Sequence, residues 1–147
     1  MRTWGKKRTD GFRSGFEAKI AASLTELGVP FSYETVQLRL EKSLVGARCT
    51  NCNSKKIVKG VSYKPDFIIK ERFVVEAKGR MTSKDRKTID AFSKIALSKG
   101  YFYFILLQRD NKLSKTSKTK YSDWLAARGI TYAVGSVVPP EWYQETP

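Results

Sequence analysis

The sequence predicts a mixed α/β domain in which helices flank a β-sheet. Segments with helical spacing alternate along the chain with short strand-like runs, and the run 101–107 is apolar throughout. A chain of 147 residues is long enough to bury a core without disulfides or metals. No internal repeat or interdomain linker is visible, so we expect residues 1–147 to form one domain.

The first predicted element is a helix over residues 14–27, whose apolar side chains recur at helical spacing. Ser14 and Glu17 fit a capping box at its start, and Gly28 followed by Pro30 ends it. The sequence therefore predicts an amphipathic helix with an acidic residue in its first turn.

A strand is predicted over residues 31–40, with Phe31, Tyr33 and Thr35 on one side. A polar stretch, 41–60, follows it and contains a CxxC motif. We expect this stretch to be a connection or insertion rather than part of the core.

The stretch 63–79 contains two short apolar runs separated by a polar triplet centred on Glu71, the pattern of a three-residue β-hairpin. In that register Asp66 lies directly opposite Glu76, with Cβ atoms about 5 Å apart. Because side chains alternate along a strand, Glu76 and Lys78 share one face. Two opposed carboxylates repel each other, so a positive group is expected to compensate them.

The rest of the chain is predicted to complete the sheet and its helices with six further elements. They are a helix capped near Thr82 or Ser83 and closed by Gly100, a central strand at 101–107 covered on both faces, a basic loop at 108–120, a short helix at 121–128, a strand at 130–134 and a closing turn at 139–143. The predicted order is α, β, β-hairpin, α, β, α, β.

The charge balance predicts a polyanionic partner. Lysine and arginine number 28 against 14 aspartates and glutamates, which gives a formal charge of +14. No apolar run approaches the about 18 residues of a membrane-spanning helix, and the basic start of the chain lacks the apolar segment of a signal peptide. With only two cysteines, we expect an intracellular protein without membrane association.

The chain contains no histidine, which excludes Ser-His and Cys-His nucleophiles and histidine-bound metal sites. Opposed carboxylates at Asp66 and Glu76 suit a divalent cation that prefers oxygen ligands. Such a cation can polarise a phosphoryl oxygen and lower the pKa of a bound water, while Lys78 neutralises developing charge. The alternative is a partly exposed salt-bridge cluster at a sheet edge.

Several stretches of the sequence resemble one family. YKPDF followed by VVEAKG matches the PD-(D/E)XK nuclease motif. More specifically, the chain resembles the phage endonuclease I family of four-way (Holliday) junction resolvases in FRSGFEAKIAASLTELGVPFSYE, PDFIIKERFVVEAKGRMTSKDRK and LAARGITYAVGSVVPPEWY. The likeness runs from Gly11 to Trp142 and includes the carboxy-terminal P-x-E-W.

The resemblance implies a restriction-endonuclease-like core and phosphodiester hydrolysis of branched DNA with Mg²⁺, for which Mn²⁺ can substitute. It also implies a homodimer that nicks symmetry-related strands, and a location in the cytoplasm of a phage-infected host. The implied catalytic residues are Glu17, Asp66, Glu76 and Lys78, the first three of which would bind the metal. In a domain-swapped dimer, Glu17 of one chain would join the other three residues of its partner.

Glu17 admits two interpretations from the residues alone. As the third residue after Ser14, it can close a capping box, which requires no catalytic role. It also lies beside the core stripe of its helix, where a carboxylate can face inward toward a metal. The resemblance favours the second interpretation.

The segment 41–60 departs from the family pattern, because it is longer and contains Cys49 and Cys52. It falls where the family's bridge between two lobes lies. The cysteines can be free thiols, a redox pair, or ligands of a structural Zn²⁺ shared by both chains of a dimer.

Basic residues fall into three groups that we predict to contact DNA phosphates. No pattern for reading bases is apparent, so recognition by shape is expected. The alternative for the last group is a solvated flexible loop. The groups are Lys6, Lys7, Arg8 and Arg13 in an N-terminal arm (residues 1–13), Arg80, Lys84, Arg86 and Lys87 after the hairpin, and Lys112, Lys115, Lys118 and Lys120 in the basic loop.

The sequence thus predicts a structure-selective endonuclease that resolves DNA junctions. One alternative is a PD-(D/E)XK nuclease that acts on linear DNA, of the restriction or transposon-end type. The other is a non-catalytic basic DNA-binding protein with a zinc knuckle at the CxxC motif.

Overall fold

The computed structural model of the chain describes residues 11–40 and 61–144. The helices are α1 (Gly15–Glu26), α2 (Ser83–Ile95) and α3 (Tyr121–Ala127), with short 3-10 turns at Leu97–Lys99 and Pro140–Trp142. The strands are β1 (Phe31–Tyr33), β2 (Leu38–Leu40), β3 (Val61–Tyr63), β4 (Phe67–Ile69), β5 (Phe73–Lys78), β6 (Phe102–Leu107) and β7 (Thr131–Val134).

Five strands form one mixed sheet in the order β1-β4-β5-β6-β7. The pairs β1/β4 and β4/β5 are antiparallel, and the pairs β5/β6 and β6/β7 are parallel. The parallel connections run through α2 and α3, as crossovers between parallel strands require. The predicted mixed α/β class is therefore confirmed.

The β4–β5 hairpin has the predicted register. Ile69 pairs with Phe73, and the turn between them closes with a 3.2 Å hydrogen bond from the Arg72 N–H to the Ile69 carbonyl. Lys70 and Glu71 take left-handed backbone conformations, with φ of 50° and 67°. Such conformations match the right-handed twist of the strands.

The predicted single strand over 31–40 is wrong. The chain leaves the main sheet at Glu34, whose φ is 50° and whose N–H donates to the Asp66 carbonyl at 3.0 Å. Residues beyond it enter β2, which pairs with β3 in a separate antiparallel ribbon. Thr35, predicted to share a side with Phe31 and Tyr33, is exposed.

The first two helices begin where their caps predict. The Ser14 hydroxyl accepts a hydrogen bond from the Glu17 N–H at 3.1 Å. Thr82 and Asp85 form a reciprocal capping box at the start of α2. Gly100, with a φ of 84°, closes the region after α2 as expected.

The predicted coverage of both faces of the 101–107 strand holds only at its carboxyl end. Ile105 and Leu107 are fully buried, whereas Phe102 is 46% exposed. Phe102 pairs with Phe73 beside the hairpin turn, at the rim of the sheet, and stacks on that ring with centroids 5.5 Å apart.

Helices cover the main sheet on opposite faces. Leu24 of α1 and Val75 of β5 belong to one buried cluster, and Phe92 of α2 and Val74 of β5 belong to another. The predicted closing turn at the carboxyl end is also present, and its Trp142 packs into the cluster with α1.

Because side chains alternate along β5, its last residues face opposite ways. Val75 and Ala77 lie in the cluster with α1. Glu76 and Lys78 therefore face α2. This places two of the predicted catalytic residues between the sheet and the first turn of α2.

Candidate active site

Asp66 and Glu76 lie side by side, one position beyond the last pair of the β4–β5 ladder, Phe67 and Val75. The Asp66 N–H approaches Glu76 Oε2 at 3.4 Å, and Asp66 Oδ2 accepts the Ala77 N–H at 3.0 Å. Because the β4–β5 ladder ends at Phe67, the Asp66 side chain takes a backbone donor that strand pairing leaves unused. Both carboxylates are buried.

Burial and repulsion act together on Asp66. Burial raises the pKa of its carboxyl well above the usual range, and the nearby charge of Glu76 raises it further. The ammonium of Lys78 and the Ala77 N–H oppose this rise in pKa. The surroundings of Asp66 therefore favour its protonated form when no cation is bound.

Lys78 lies between two acids. Its Nζ is 3.1 Å from Glu76 Oε1 and 3.2 Å from Asp85 Oδ1, and the three side chains are only 5–9% exposed. The alternative predicted a partly exposed salt-bridge cluster. The ion pairs are present, but the cluster is buried, so the predicted exposure is wrong. Because these ion pairs are buried, solvent screens them much less than it screens ion pairs on the surface.

Asp85 is a site residue that the sequence analysis missed. Its Oδ2 accepts from the Thr82 N–H at 3.0 Å and from the Thr82 hydroxyl at 2.8 Å, while its Oδ1 faces Lys78. The Thr-x-x-Asp capping pattern was visible in the sequence. What it did not show is that the same carboxylate also reaches the end of β5.

Tyr63 was missed as well. Its hydroxyl donates to Glu76 Oε2 at 2.6 Å, and its ring lies 4.8 Å from that of Phe92. Burial raises the pKa of Tyr63, and the charge of Glu76 adds to this. Tyr63 follows the polar stretch 41–60 and precedes the strands of the hairpin. No pattern in the sequence there indicates a contact with Glu76.

Glu17 turns inward rather than completing its capping box. Its carboxylate Oε2 accepts from the Tyr33 hydroxyl at 2.9 Å, and only its backbone N–H binds Ser14. Glu17 is 7% exposed, and its charge is among the causes that raise the pKa of Asp66. The structure thus brings Glu17 within electrostatic reach of Asp66 in the same chain.

The chemistry of the donor set fits a divalent cation. Asp66 and Glu76 are buried, opposed carboxyl groups, and a cation such as Mg²⁺ or Mn²⁺ would favour the ionised form of both. Within the described ranges, the hydrogen bond given for the Asp66 carboxylate is the one that its Oδ2 accepts from the Ala77 N–H. In those same ranges, no three acidic or cysteine side chains cluster closely enough to form a complete ligand set, and Glu17 lies apart at Tyr33.

The predicted DNA-contacting residues take different positions. Arg13 forms an ion pair with Glu34 at 2.5 Å, and Arg86 donates to the Met81 carbonyl at 3.0 Å. The exposed ones are Arg80, Lys84 and Lys87 around the start of α2 and Lys112, Lys115, Lys118 and Lys120 in the basic loop. Lys6, Lys7, Arg8, Cys49 and Cys52 lie outside the described residues.

The basic loop is folded back on itself. Lys112 and Lys120 form an antiparallel bridge, and the Leu113 N–H donates to the Thr119 carbonyl at 2.9 Å. Leu113 packs against the cluster that contains Leu125 of α3. The loop therefore presents its exposed lysines from a hydrogen-bonded turn.

A cleft of about 350 Å³ opens between the first turn of α1 and the carboxyl ends of β5 and β6. Lys19, Ala77, Gly79 and Gln108 are among its lining residues. Asp66, Glu76 and Lys78 are not among the lining residues, and the link between the cleft and the pair is the Ala77 N–H, which donates to Asp66 Oδ2.

A buried pair of opposed carboxylates with a lysine on the same strand, in a chain of charge +14, is the arrangement expected of a nuclease. The model of the phage endonuclease I family matches residues 1–147, and the chain belongs to that family. One relative is Endonuclease I of Escherichia phage T7, which is 26% identical over 145 residues, 96% of this chain and 84% of that protein. The family predicted from the sequence is confirmed.

The helices of the described ranges give no sign of a membrane span: none is long and apolar enough to cross a bilayer.

Proposed function

We propose that this endonuclease resolves four-way and branched DNA junctions by Mg²⁺-dependent hydrolysis, as a homodimer that nicks two symmetry-related strands. Family membership over the whole chain supports the junction substrate. The observation that carries the chemistry is the Asp66–Glu76 pair with Lys78 bound to Glu76 at 3.1 Å. The cytoplasm of an infected host cell is the expected place of action.

Asp66 and Glu76 are the residues that would hold the metal, and Mn²⁺ is expected to substitute for Mg²⁺. When bound, the metal supplies positive charge that stabilises the phosphoryl transition state. Glu17 is the third acid proposed for the site. Within the chain its carboxylate is bound by the Tyr33 hydroxyl.

Lys78 supplies the second positive charge. In hydrolysis the oxygen of water bonds to phosphorus, the bond from phosphorus to the 3′ oxygen breaks, and that oxygen takes a proton. The products are a 5′-phosphate and a 3′-hydroxyl. Negative charge grows on the phosphoryl oxygens in this step, and a buried ammonium held by Glu76 and Asp85 is placed to stabilise it without reorganising.

The exposed lysines of the basic loop and of the start of α2 are proposed to bind the DNA backbone. A lysine near a helix start and a turn with interleaved serine and threonine both suit phosphate contact. Such contacts read shape rather than base sequence, which is what a branched substrate requires.

The dimer is proposed to exchange strands through the 41–60 segment, so that Glu17 acts in the partner's site. We also propose that Cys49 and Cys52 of both chains share one structural Zn²⁺. Metal analysis of the purified dimer should then find about half a zinc per chain, lost in a Cys49→Ser, Cys52→Ser double variant. Finding no zinc would contradict the shared site.

The test of the proposed function uses a labelled four-way junction and a linear duplex of the same arm sequence. We expect paired nicks in the junction with Mg²⁺, none in EDTA, and little cleavage of the duplex. Equal cleavage of both substrates would indicate a nuclease for linear DNA. Binding in both buffers without any cleavage would indicate a non-catalytic DNA-binding protein.

A further inference from the structure

Two tyrosine hydroxyls each contact one of the glutamates proposed for catalysis. Tyr63 donates to Glu76 Oε2 at 2.6 Å, and Tyr33 donates to Glu17 Oε2 at 2.9 Å. We infer that Tyr33 and Tyr63 are positioning residues, each fixing the carboxylate of one glutamate for metal and substrate binding. The inference deepens the proposed function and rests on it.

The two carboxylate oxygens of Glu76 contact different partners. Oε1 faces Lys78 at 3.1 Å, and Oε2 takes the Tyr63 hydroxyl. The other donor to Oε2, the Asp66 N–H, is at 3.4 Å and therefore weak. Tyr63 is thus the donor that fixes the plane of the carboxylate.

The ring of Tyr63 is itself held by packing. Tyr63 is 6% exposed, and its ring lies 4.8 Å from that of Phe92, which is fully buried on α2. Because the ring is held by this packing, the position of its hydroxyl is fixed. Supports of this kind are what hold a catalytic group in its productive geometry.

Tyr33 has the same arrangement around Glu17. Its hydroxyl donates to Glu17 and accepts from the Arg13 N–H at 3.3 Å. Its ring packs between Phe12, at 4.7 Å, and Phe67, at 5.2 Å. The bond draws the Glu17 side chain away from its own helix cap and toward the sheet.

Each tyrosine lies in the same part of the chain as its glutamate. Tyr33 and Glu17 both precede the 41–60 segment, and Tyr63 and Glu76 both follow it. Exchange of strands through that segment therefore moves each pair as a unit. Both contacts persist whether the site is built from one chain or from two.

A purely structural role predicts a different outcome. If the hydroxyls only satisfy buried polar groups, their removal lowers stability and leaves metal affinity unchanged. If they position the carboxylates, metal affinity and the saturating cleavage rate fall while the fold and DNA binding persist. Loss of a partner that orients a metal ligand typically costs roughly 10- to 100-fold in affinity or activity.

The experiment compares Tyr63→Phe and Tyr33→Phe with wild type and with Tyr121→Phe. Tyr121 is a matched control because it is 5% exposed and packs in the cluster with Leu125, whereas the tyrosine hydroxyls that contact the two glutamates are those of Tyr33 and Tyr63. Mn²⁺ affinity is measured from the electron paramagnetic resonance of free Mn²⁺. Junction affinity in EDTA, thermal unfolding and the Mg²⁺ dependence of cleavage are measured alongside.

We expect each site variant to bind Mn²⁺ about 10-fold more weakly, with junction affinity unchanged, and the control to match wild type. Adding Tyr63→Phe to Glu76→Gln should cause no further loss of Mn²⁺ affinity, because the tyrosine acts through that glutamate. Site variants that bind Mn²⁺ and cleave like wild type would overturn the inference alone. Failure of wild type to bind Mn²⁺ would overturn the metal site, and the inference with it.

Discussion

The Nζ of Lys78 lies 3.1 Å from Oε1 of Glu76, and both side chains are buried on the face of β5 that meets α2. Asp85 reaches the same ammonium from the first turn of α2. The lysine is therefore locked between strand and helix before any substrate arrives. This arrangement leads to predictions about chemistry, stability, DNA binding and assembly.

Lys78 and Asp85 should both be needed for fast cleavage. Lys78→Ala removes the buried positive charge and should lower the saturating cleavage rate by on the order of 10²-fold or more. Asp85→Asn should lower it by roughly 10-fold or more, because the ammonium loses its ionic contact with the first turn of α2. Single-turnover cleavage of a four-way junction measures both rates.

The control for Asp85 is Asp123, which accepts the Lys120 N–H at 3.0 Å at the start of α3 and is distant in sequence from the site. Asp123→Asn removes a similar helix cap and should leave cleavage unchanged. If both variants lose the same small amount of activity and stability, Asp85 is a helix cap and no more.

The raised pKa of Asp66 predicts how stability depends on pH. Its folded-state pKa lies above the unfolded value of about 3.9, so the protonated form stabilises the fold at low pH. This contribution is lost as pH rises through the folded-state pKa. Thermal unfolding of metal-free protein should show that loss, and Asp66→Asn should remove it.

Added Mg²⁺ should restore part of the stability lost at higher pH, since a cation compensates the paired charges. If wild type and Asp66→Asn showed the same pH dependence of unfolding, the raised pKa that burial and Glu76 give Asp66 would be contradicted.

Junction affinity should fall steeply with salt. If six or more phosphates are contacted, the affinity should drop by roughly 10³-fold between about 50 and about 200 mM salt. Deletion of residues 1–10 should weaken binding without affecting the chemistry. Fluorescence anisotropy in EDTA measures the affinities, and a flat salt response would mean that the charge of +14 serves another partner.

Strand exchange can be tested by mixing two inactive chains. In an exchanged dimer, Glu17→Gln in one chain and Asp66→Asn in the other leave one complete site, because each site combines residues of both chains. Without exchange, both sites carry a substitution. Co-refolded heterodimers should therefore nick one strand of a junction, and complete inactivity would contradict the exchange.

Much of the site could be predicted from the sequence because it depends on local periodicity. The alternation of side chains and the three-residue turn at Glu71 fix the register of the hairpin, and with it the opposition of Asp66 and Glu76. The same alternation predicts that Lys78 lies on the same face of the strand as Glu76. The caps at Ser14 and Thr82 are likewise set by short patterns, so the helix starts were predictable.

Other features depend on contacts between distant parts of the chain. A glutamate has no preference for the left-handed conformation that Glu34 adopts, so the break between β1 and β2 was not predictable. The contacts of Tyr63 and Asp85 with the site arise only when β3 and α2 pack against β5. Whether Glu17 caps its helix or faces inward was decided by Tyr33, sixteen positions away.

The measurement that tests the central claim most directly is junction cleavage by Asp66→Asn and Glu76→Gln. Each is assayed beside wild type with Mg²⁺, and junction affinity is measured in parallel. We expect cleavage to be abolished while binding persists or tightens, because the loss of negative charge eases the approach of phosphate. Cleavage near the wild-type rate by either variant would contradict the assignment of this carboxylate pair as the catalytic site.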